Sequence, residues 1–210
     1  MAERPAPISP GQPGEPDQHL VERRVGDSRL VHQGGFLEVR RDQILLPDGG
    51  QAWREYIVHP GAVAIVPLLD DGRIVLERQY RYPLQQVLLE IPAGKIDPGE
   101  SAAACACREL REETGYQARQ WALAGRMHSA PAYSTEFIEI WFARGLVAGP
   151  ARLDEGEFIE LQLVAQADLD RLAADGLLTD AKTLIALLWL RRWQAGDWPL
   201  QWRDAATMAP

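Results

Sequence analysis

Residues 94–116 read GKIDPGESAAACACRELREETGY and combine a glycine-containing turn, a helical repeat and a cluster of charges. Residues 101–114 have helical spacing, because small and apolar side chains recur on one face at i, i+3 and i+7. Gly115 follows and is the predicted C-cap, a position at which glycine is favoured. The stretch therefore predicts an amphipathic helix that carries charged residues towards its C-terminal end.

Three glutamates lie close together on this predicted helix. Glu109 and Glu113 are four residues apart and share one face, about 40° apart, with Glu112 about 60° to the other side. Like charges at this spacing repel, and the helix dipole disfavours anions near the C-terminus. Such a cluster favours a bound cation, and carboxylates suit a hard ion such as Mg²⁺ or Mn²⁺. A solvated charged face, with Arg108 and Arg111 as partners, is the alternative that these residues leave open.

The chain on either side of this helix reads as many strands and few helices, which predicts an α+β fold with helices on both sides of a mixed sheet. The predicted strands lie in residues 20–58 (a hairpin about the turn Pro47-Asp48-Gly49-Gly50), 62–66, 73–77, 87–91, 121–127, 137–143 and 158–163. The further predicted helices lie in residues 167–174 and 179–193, the latter with Thr179 or Asp180 as its N-cap.

Composition argues against several classes of protein. The chain has 210 residues, of which 46% are hydrophobic and 25% charged, as is usual for a soluble globular protein. Its net charge of -8 argues against nucleic-acid binding by phosphate neutralisation. No apolar run of about 18 residues and no signal-peptide core are found, so we expect no membrane association and a cytoplasmic protein. Cys105 and Cys107 are expected to be small, reduced core residues.

The spacing of residues 94–115 resembles the Nudix box. Gly94 is followed after five residues by Glu100, and after seven more by the run Arg-Glu-Leu-Arg-Glu-Glu-Thr-Gly at 108–115. Tyr116 departs from the pattern, in which an aliphatic residue is usual, and this affects packing rather than chemistry. Three further motifs are similar to the ADP-ribose pyrophosphatase branch of that superfamily: QYRYP at 79–83, LEIPAGK at 89–95 and DAKT at 180–183.

The resemblance implies a fold and a domain organisation. The fold would be the α+β Nudix fold, a mixed β-sheet sandwiched between helices and preceded by a small N-terminal antiparallel sheet. The expected segments are a disordered arm at 1–18, an N-terminal β-sheet subdomain for dimerisation at 19–59, the Nudix hydrolase domain at 60–197 and a C-terminal tail at 198–210.

The resemblance also implies an activity. Members of this branch hydrolyse ADP-ribose or related ADP-sugars to AMP and ribose 5-phosphate, use Mg²⁺ or Mn²⁺, and form homodimers. Pro131, 16 residues after Gly115, matches the proline that marks ADP-ribose specificity, whereas Tyr133 matches the tyrosine that marks the diadenosine polyphosphate branch. Other nucleoside diphosphate sugars and diadenosine polyphosphates are thus the alternative substrates. A non-catalytic ADP-ribose-binding module is the alternative of another class, but the chain keeps every box glutamate, which favours an enzyme.

The box residues receive roles from the resemblance. The implied metal ligands are Glu109, Glu112, Glu113 and the main-chain carbonyl of Ala93. Arg108 would orient the cluster through a charged hydrogen bond, with Glu100 as its expected partner.

A catalytic base is expected outside the box, in the loop Asp154-Glu155-Gly156-Glu157. Pyrophosphate hydrolysis requires a water that is deprotonated and aimed in line at a phosphorus atom. In this branch the base is often a late-loop glutamate, for which Glu155 is the better match and Glu157 the second, with Glu112 the next candidate. Gly156 would act as a hinge that lets the loop close. Solvated loop carboxylates are the alternative.

The resemblance finally implies a set of substrate contacts, some from the N-terminal sheet of a partner subunit. Phe36 would stack on adenine, and Glu136 would meet the terminal ribose, although an ordinary exposed strand residue is the alternative for Glu136. The full set is Phe36, Arg54, Glu55, Arg81, Gly94 and Glu136.

Overall fold

The computed structural model describes residue 17 and residues 19–208. The predicted arm at 1–18 therefore lies outside the described residues, apart from Asp17. The chain divides into two compact units, and the border between them lies between Val58 and His59. None of the helices in the described part is long and apolar enough to cross a membrane.

The N-terminal unit contains a three-stranded antiparallel sheet. Its strands, in spatial order, are β1 (Arg23–Gln33), β2 (Glu38–Leu45) and β3 (Gln51–Val58). The predicted hairpin turn is confirmed, since the amide of Gly50 donates to Asp48 at 2.9 Å and Gly49 has a φ of +86°. Several large apolar side chains of this sheet are exposed, among them Leu30, Val31 and Trp53.

The C-terminal unit is built on a larger mixed sheet. Its strands within the described residues are β4 (Ala62–Leu68), β5 (Arg73–Arg81), β6 (Gln86–Glu90), β7 (Ala93–Lys95), β8 (Tyr116–Met127), β9 (Ile138–Ala148), β10 (Ile159–Ala165) and β11 (Arg203–Asp204). The spatial order is β10-β5-β4-β9-β8-β11, with β6 beside β5 and β7 beside β4. Strands β4 and β9 run parallel and the other pairs antiparallel.

Helices pack on both faces of this sheet, as the sequence predicted. They are α1 (Ala102–Thr114), α2 (Gln166–Ala174) and α3 (Ala181–Gln194). Side chains alternate along a strand, and Val63 and Ile65 of β4 pack in one cluster with Leu110 of α1. Val66, on the opposite face, packs in the cluster that contains Leu187 of α3. Burial on both faces explains why β4 is a continuous apolar run.

Several boundaries differ from those predicted. Strand β8 begins at Tyr116, with a single residue between it and α1, and β9 continues to Ala148. The two strands pair across these added stretches, in which polar residues of β8 and Arg144-Gly145 of β9 interrupt the apolar pattern. Helix α3 begins after Asp180, whose side chain accepts a hydrogen bond from the amide of Thr183 at 2.9 Å, so Asp180 is the N-cap. The segment expected to be a tail contains β11, and Met208 near its end is buried.

Candidate active site

Two residues cap helix α1. At the N-terminus, Oγ of Ser101 accepts a hydrogen bond from the amide of Ala104 at 3.2 Å. At the C-terminus, Gly115 has a φ of +73° and donates its amide to the carbonyl of Arg111 at 3.0 Å. A Cβ on Gly115 would lie 2.3 Å from the carbonyl oxygen of Gly149, so only glycine allows this approach. These caps determine where the box glutamates lie.

Gly94 lies directly against the carboxylate of Glu109. A Cβ built on Gly94 would be 1.9 Å from the carboxyl carbon of Glu109, a separation that no non-bonded contact allows. Strand β7, which contains Gly94, pairs with β4 opposite Val63. The backbone of β7 therefore reaches the carboxylates of α1, in a space that any other side chain at position 94 would fill.

Arg108 is the cation that binds the box carboxylates in this structure. Its Nε and Nη2 donate to the two carboxylate oxygens of Glu100 at 2.9 Å each. Its Nη1 donates to Glu109 at 2.8 Å and to Glu112 at 3.1 Å. The hydrogen bond with Glu100 is the main reason that the pKa of Arg108 is raised above its ordinary value. The expected partnership with Glu100 is present, and the same guanidinium also holds two box glutamates.

Glu113 is buried, with 5% of its surface exposed. Its Oε2 accepts a hydrogen bond from the amide of Ala93 at 3.0 Å. Ala93, whose main-chain carbonyl is an expected metal ligand, therefore lies beside this side chain. Burial raises the pKa of Glu113 to about 10, and the negative charges of Glu77, Glu109 and Glu157 add to the effect. A bound cation would reverse this effect, because it would stabilise the ionised form.

Glu77 lies in the same group of acids, although the sequence alone did not predict a function for it. It is on β5, it is 0% exposed, and neither of its carboxylate oxygens has a hydrogen-bond partner among the described residues. Burial raises the pKa of Glu77 to about 8. The signal that could have found it is a glutamate at the end of the apolar run 74–76, because a strand that only packs a core has no reason to bury an acid.

The acidic loop places its two glutamates differently. Glu157 accepts a hydrogen bond from Nε2 of Gln79 at 3.3 Å. Burial is the main cause of the raised pKa of Glu113, and the charge of Glu157 adds to it. Glu155 is exposed in the turn and has no ion pair or hydrogen bond with the described residues. Between them, Gly156 has a φ of +84° and open space around it. In this structure Glu157, and not Glu155, lies beside the cluster.

Glu90 is a second buried acid near the site, and it has cationic partners. Arg81 donates from Nε and Nη2 to its two oxygens at 2.8 and 2.9 Å, and Lys182 donates to it as well. Burial would raise the pKa of Glu90, but the hydrogen bonds from Arg81 and the charge of Lys182 together lower it below its ordinary value. Arg81, an expected substrate contact, is therefore already bound to Glu90.

Glu136, the expected ribose contact, lies in a small polar group of its own. Its Oε1 is 3.6 Å from Nε2 of His59, and Ser129 donates a hydrogen bond to its other oxygen. Within the described part of the chain, its hydrogen bonds and ion pairs do not reach the box glutamates. The structure therefore does not bring Glu136 into the carboxylate cluster.

The N-terminal unit holds three further expected substrate contacts. Arg54 forms an ion pair with Glu22, with an Nε to Oε2 distance of 3.0 Å. Glu55 lies 3.6 Å from Nε of Arg41, and Phe36 is exposed. Because Arg54 and Glu55 are consecutive on β3, their side chains point to opposite faces of the sheet. The two residues therefore do not act from one surface of this sheet.

The carboxylates suit a divalent cation but are not yet arranged around one. Among the residues that the structure describes, no group of three His, Cys, Asp or Glu side chains is positioned to hold a metal ion. Glu109 and Glu112 are instead bound to Arg108, and Glu113 to the backbone. The donors are all oxygen atoms, which hard divalent ions prefer, and the buried oxygens of Glu77 have no hydrogen-bond partner among the described residues. The residues therefore fit a hard ion after local rearrangement of side chains.

Two family profiles match the chain. Residues 58–188 match the NUDIX domain, and residues 24–57 match the nucleoside diphosphate sugar hydrolase N-terminal domain. The border between the two matches lies within one residue of the border between the two compact units.

Named proteins resemble the chain over most of their length. The chain is 34% identical over 173 residues to the ADP-ribose pyrophosphatase of Bacillus subtilis (strain 168), a match covering 81% of this chain and 94% of that protein. It is 34% identical over 178 residues to the methanol dehydrogenase activator of Bacillus methanolicus, covering 84% and 96%. A crystal structure of an ADP compounds hydrolase aligns with a TM-score of 0.73 at 28% identity, covering 81% of this chain and 92% of that one. These matches confirm the fold and the resemblance expected from the sequence, and the chain belongs to the Nudix hydrolase family.

Proposed function

We propose that the protein hydrolyses the pyrophosphate bond of ADP-ribose, or of a related ADP-sugar, to AMP and ribose 5-phosphate. The observation that carries this proposal is the carboxylate cluster on α1, in which the buried Glu113 is surrounded by further acids. The relative named ADP-ribose pyrophosphatase and the structure named ADP compounds hydrolase support the choice of substrate. Pyrophosphate hydrolysis needs such a cluster, because negative charge develops on the phosphoryl oxygens and must be neutralised.

Mg²⁺ or Mn²⁺ is the proposed cofactor. The residues that would hold it are Glu109, Glu112, Glu113 and the main-chain carbonyl of Ala93. When bound, such an ion neutralises charge on the phosphate oxygens and lowers the pKa of a bound water. Gly94 supports this assignment, because its missing side chain lets the backbone of β7 lie against Glu109.

Arg108 is proposed to keep the carboxylates in position. Its guanidinium joins Glu100, which precedes the helix, to Glu109 and Glu112 within it. A bidentate pair with Glu100 fixes the plane of the guanidinium. The remaining Nη1 can then be released from the glutamates it contacts without loss of the whole network.

The acidic loop is proposed to supply the general base, with separate roles for its two glutamates. Glu157 already accepts a hydrogen bond from Gln79 and adds its charge to the cluster, which suits a residue that anchors the loop beside the metal ligands. Glu155 is exposed, and a base needs a lone pair free to accept the proton of water. Gly156 allows the backbone change by which the loop would bring Glu155 to the substrate.

Substrate positioning is proposed for residues outside the metal cluster. Glu90 fixes two nitrogens of Arg81, whose side chain remains 37% exposed and so keeps a surface for a phosphate. The full proposed set, carried from the resemblance, is Phe36, Arg54, Glu55, Arg81, Gly94 and Glu136.

A homodimer and a cytoplasmic location complete the proposal. Exposed apolar side chains on the N-terminal sheet, such as Leu30, Val31 and Trp53, support dimerisation, because surfaces of this kind are usually covered. Cys105 and Cys107 are free cysteines, which suits a reducing compartment. Light scattering on the purified chain tests the dimer, and a monomeric mass would contradict it.

A substrate panel with product analysis tests the proposed activity. ADP-ribose, other nucleoside diphosphate sugars and diadenosine polyphosphates are incubated with the protein and Mg²⁺, with the Glu109→Gln variant as a control for contaminating hydrolases. We expect ADP-ribose to have the highest kcat/KM and to yield AMP and ribose 5-phosphate. A preference for diadenosine polyphosphates would contradict the role of Pro131 and favour Tyr133. Binding of ADP-ribose without turnover would contradict the enzyme and favour a binding module.

A further inference from the structure

Glu77 is a fully buried acid in the described part of the C-terminal unit, and no cation or hydrogen-bond donor there is bound to it. Its side chain has no exposed surface, and both carboxylate oxygens lack a hydrogen-bond donor among the described residues. Buried carboxylates in folded proteins nearly always accept hydrogen bonds or pair with a cation. Glu77 therefore needs a partner beyond the protein groups that now surround it.

The register of β5 shows which way Glu77 faces. Glu77 and Gln79 are two residues apart, so their side chains lie on one face of the sheet. Gln79 donates a hydrogen bond to Glu157 of the acidic loop at 3.3 Å. Leu76, which points to the opposite face, packs in the cluster that contains α3, so Glu77 lies on the face of the sheet against which α1 and its Glu113 pack. The side chain of Glu77 is therefore directed into the carboxylate cluster, from the strand side.

Protonation alone does not satisfy this side chain. A neutral carboxyl group still has a hydroxyl that must donate and a carbonyl that must accept when it is buried. Neither need is met by the described residues around Glu77. Lys182 is close enough for its charge to act on Glu77, but its hydrogen bonds go to Glu90, and it pairs with Asp180 at 3.1 Å. Arg81, the other cation whose charge acts on Glu77, is bound to Glu90 as well, so neither is left to pair with Glu77.

We propose that Glu77 is an additional ligand of the divalent cation site, which it completes from β5 opposite the ligands on α1. The ion class is the hard, oxygen-preferring one, Mg²⁺ or Mn²⁺, because Glu77 and the ligands proposed above offer only oxygen atoms. Those ligands are Glu109, Glu112, Glu113 and the main-chain carbonyl of Ala93. This assignment rests on the proposed function, since it adds a residue to the metal site that the activity requires. It differs from that function in placing one ligand outside both the box and the acidic loop.

A titration with Mn²⁺ alone, followed by the electron paramagnetic resonance signal of the free ion, tests the assignment without substrate. Glu77→Gln keeps the size of the side chain and removes its charge. Glu160→Gln is the matched control, because Glu160 lies on the neighbouring strand β10 and is exposed and paired with Arg78. We expect Glu77→Gln to weaken Mn²⁺ binding at least about 10-fold, or to reduce the number of bound ions by one, and Glu160→Gln to bind as the wild type does.

Two further results keep the two proposals apart. If Glu113→Gln weakens Mn²⁺ binding and Glu77→Gln does not, the box site stands and the role of Glu77 is wrong. If neither substitution has an effect, the proposed function fails as well. Anomalous diffraction from wild-type crystals soaked in Mn²⁺ gives the direct answer even if a variant folds poorly. An ion within about 2.5 Å of a Glu77 oxygen supports the assignment, and an ion bound only to the other carboxylates overturns it.

Discussion

Glu77 and Glu90 lie opposite each other on neighbouring strands and are about equally buried, yet only Glu90 has cationic partners that stabilise its charge. They are register partners on β5 and β6, with 0% and 1% of their surface exposed. Glu90 is bound by Arg81 and Lys182, whereas Glu77 has no hydrogen-bond partner among the described residues. Burial raises the pKa of Glu77 to about 8, while in Glu90 the two cations overcome burial and lower the pKa.

This difference separates a structural acid from an acid held ready for a ligand. A carboxylate bound to an arginine and a lysine is compensated in every state of the protein, so it contributes to the framework of the fold. Under the proposal above, the unpartnered Glu77, whose charge acts on Glu113, is compensated only when a cation binds. Glu90 thus forms a permanent ion pair, whereas the proposal gives Glu77 one only while a cation is bound.

The largest expected effect is on turnover when the cluster loses a metal ligand. Glu113→Gln should lower kcat for ADP-ribose roughly 10²- to 10⁴-fold, because a charge that stabilises the transition state is lost. The fold should persist, since the substitution also relieves repulsion between buried acids. Steady-state kinetics with circular dichroism on the same sample measures both. Normal turnover would show that Glu113 is not a ligand of a catalytic metal ion.

Substitution of Glu155 should lower mainly turnover, and substitution of Glu157 should lower mainly metal affinity. Glu155→Gln should lower kcat by about 10²-fold or more with little change in Mn²⁺ affinity, because a base acts mainly in the transition state. The rise of rate with pH in the wild type should flatten in this variant. Glu157→Gln is the matched control and should weaken Mn²⁺ binding instead. If both effects appear in Glu157→Gln and none in Glu155→Gln, Glu157 is the base.

Replacing Glu90 should destabilise the protein, whereas replacing Glu77 should not. In metal-free protein, Glu90→Gln should lower the free energy of unfolding by about 3 kcal/mol, because it leaves Arg81 and Lys182 without their buried partner. This corresponds to a fall in Tm of roughly 6–12 °C. Glu77→Gln should leave Tm unchanged or raise it. Calorimetry in EDTA measures both, and a large loss in Glu77→Gln would mean that its charge is compensated in the folded protein.

A pH dependence of stability is also expected in the metal-free protein. The pKa of Glu77 is raised from 4.5 to about 8 on folding, so the folded state binds this proton more tightly than the unfolded state. The stabilisation is complete below about pH 4.5 and is lost as the pH rises towards 8. Tm in EDTA should therefore fall over this range, and fall less in Glu77→Gln. Added Mg²⁺ should raise Tm more at pH 8 than at pH 5, because the ion binds ionised carboxylates. Equal shifts at both pH values would contradict the account.

Local signals explain which parts of the structure could be predicted. Helix α1 was predictable because its apolar spacing, the cap at Gly115 and the charged face all lie in one stretch of chain. The partnership of Arg108 with Glu100 was also predictable, since a shared motif contains both residues. The full length of β8 and β9 was not, because polar residues of each strand are explained only by the other strand.

The site required the folded chain wherever its residues come from distant elements. Glu77 is on β5, and the residues around it in sequence do not indicate that it lies near the box glutamates. The difference between Glu155 and Glu157 is likewise set by Gln79, which is 78 residues away from Glu157. The opposite orientation of Arg54 and Glu55 follows from strand alternation once β3 is established.

Chelation during turnover tests the central claim most directly. Hydrolysis of ADP-ribose is followed by phosphorus NMR in millimolar Mg²⁺ (an order of magnitude suited to weakly bound, hydrated ions), then in excess EDTA, then after Mg²⁺ is restored. The account predicts formation of AMP and ribose 5-phosphate, complete loss of activity in EDTA and recovery when the ion returns. Hydrolysis that continues undiminished in EDTA would contradict the claim that the carboxylate cluster works through a divalent cation.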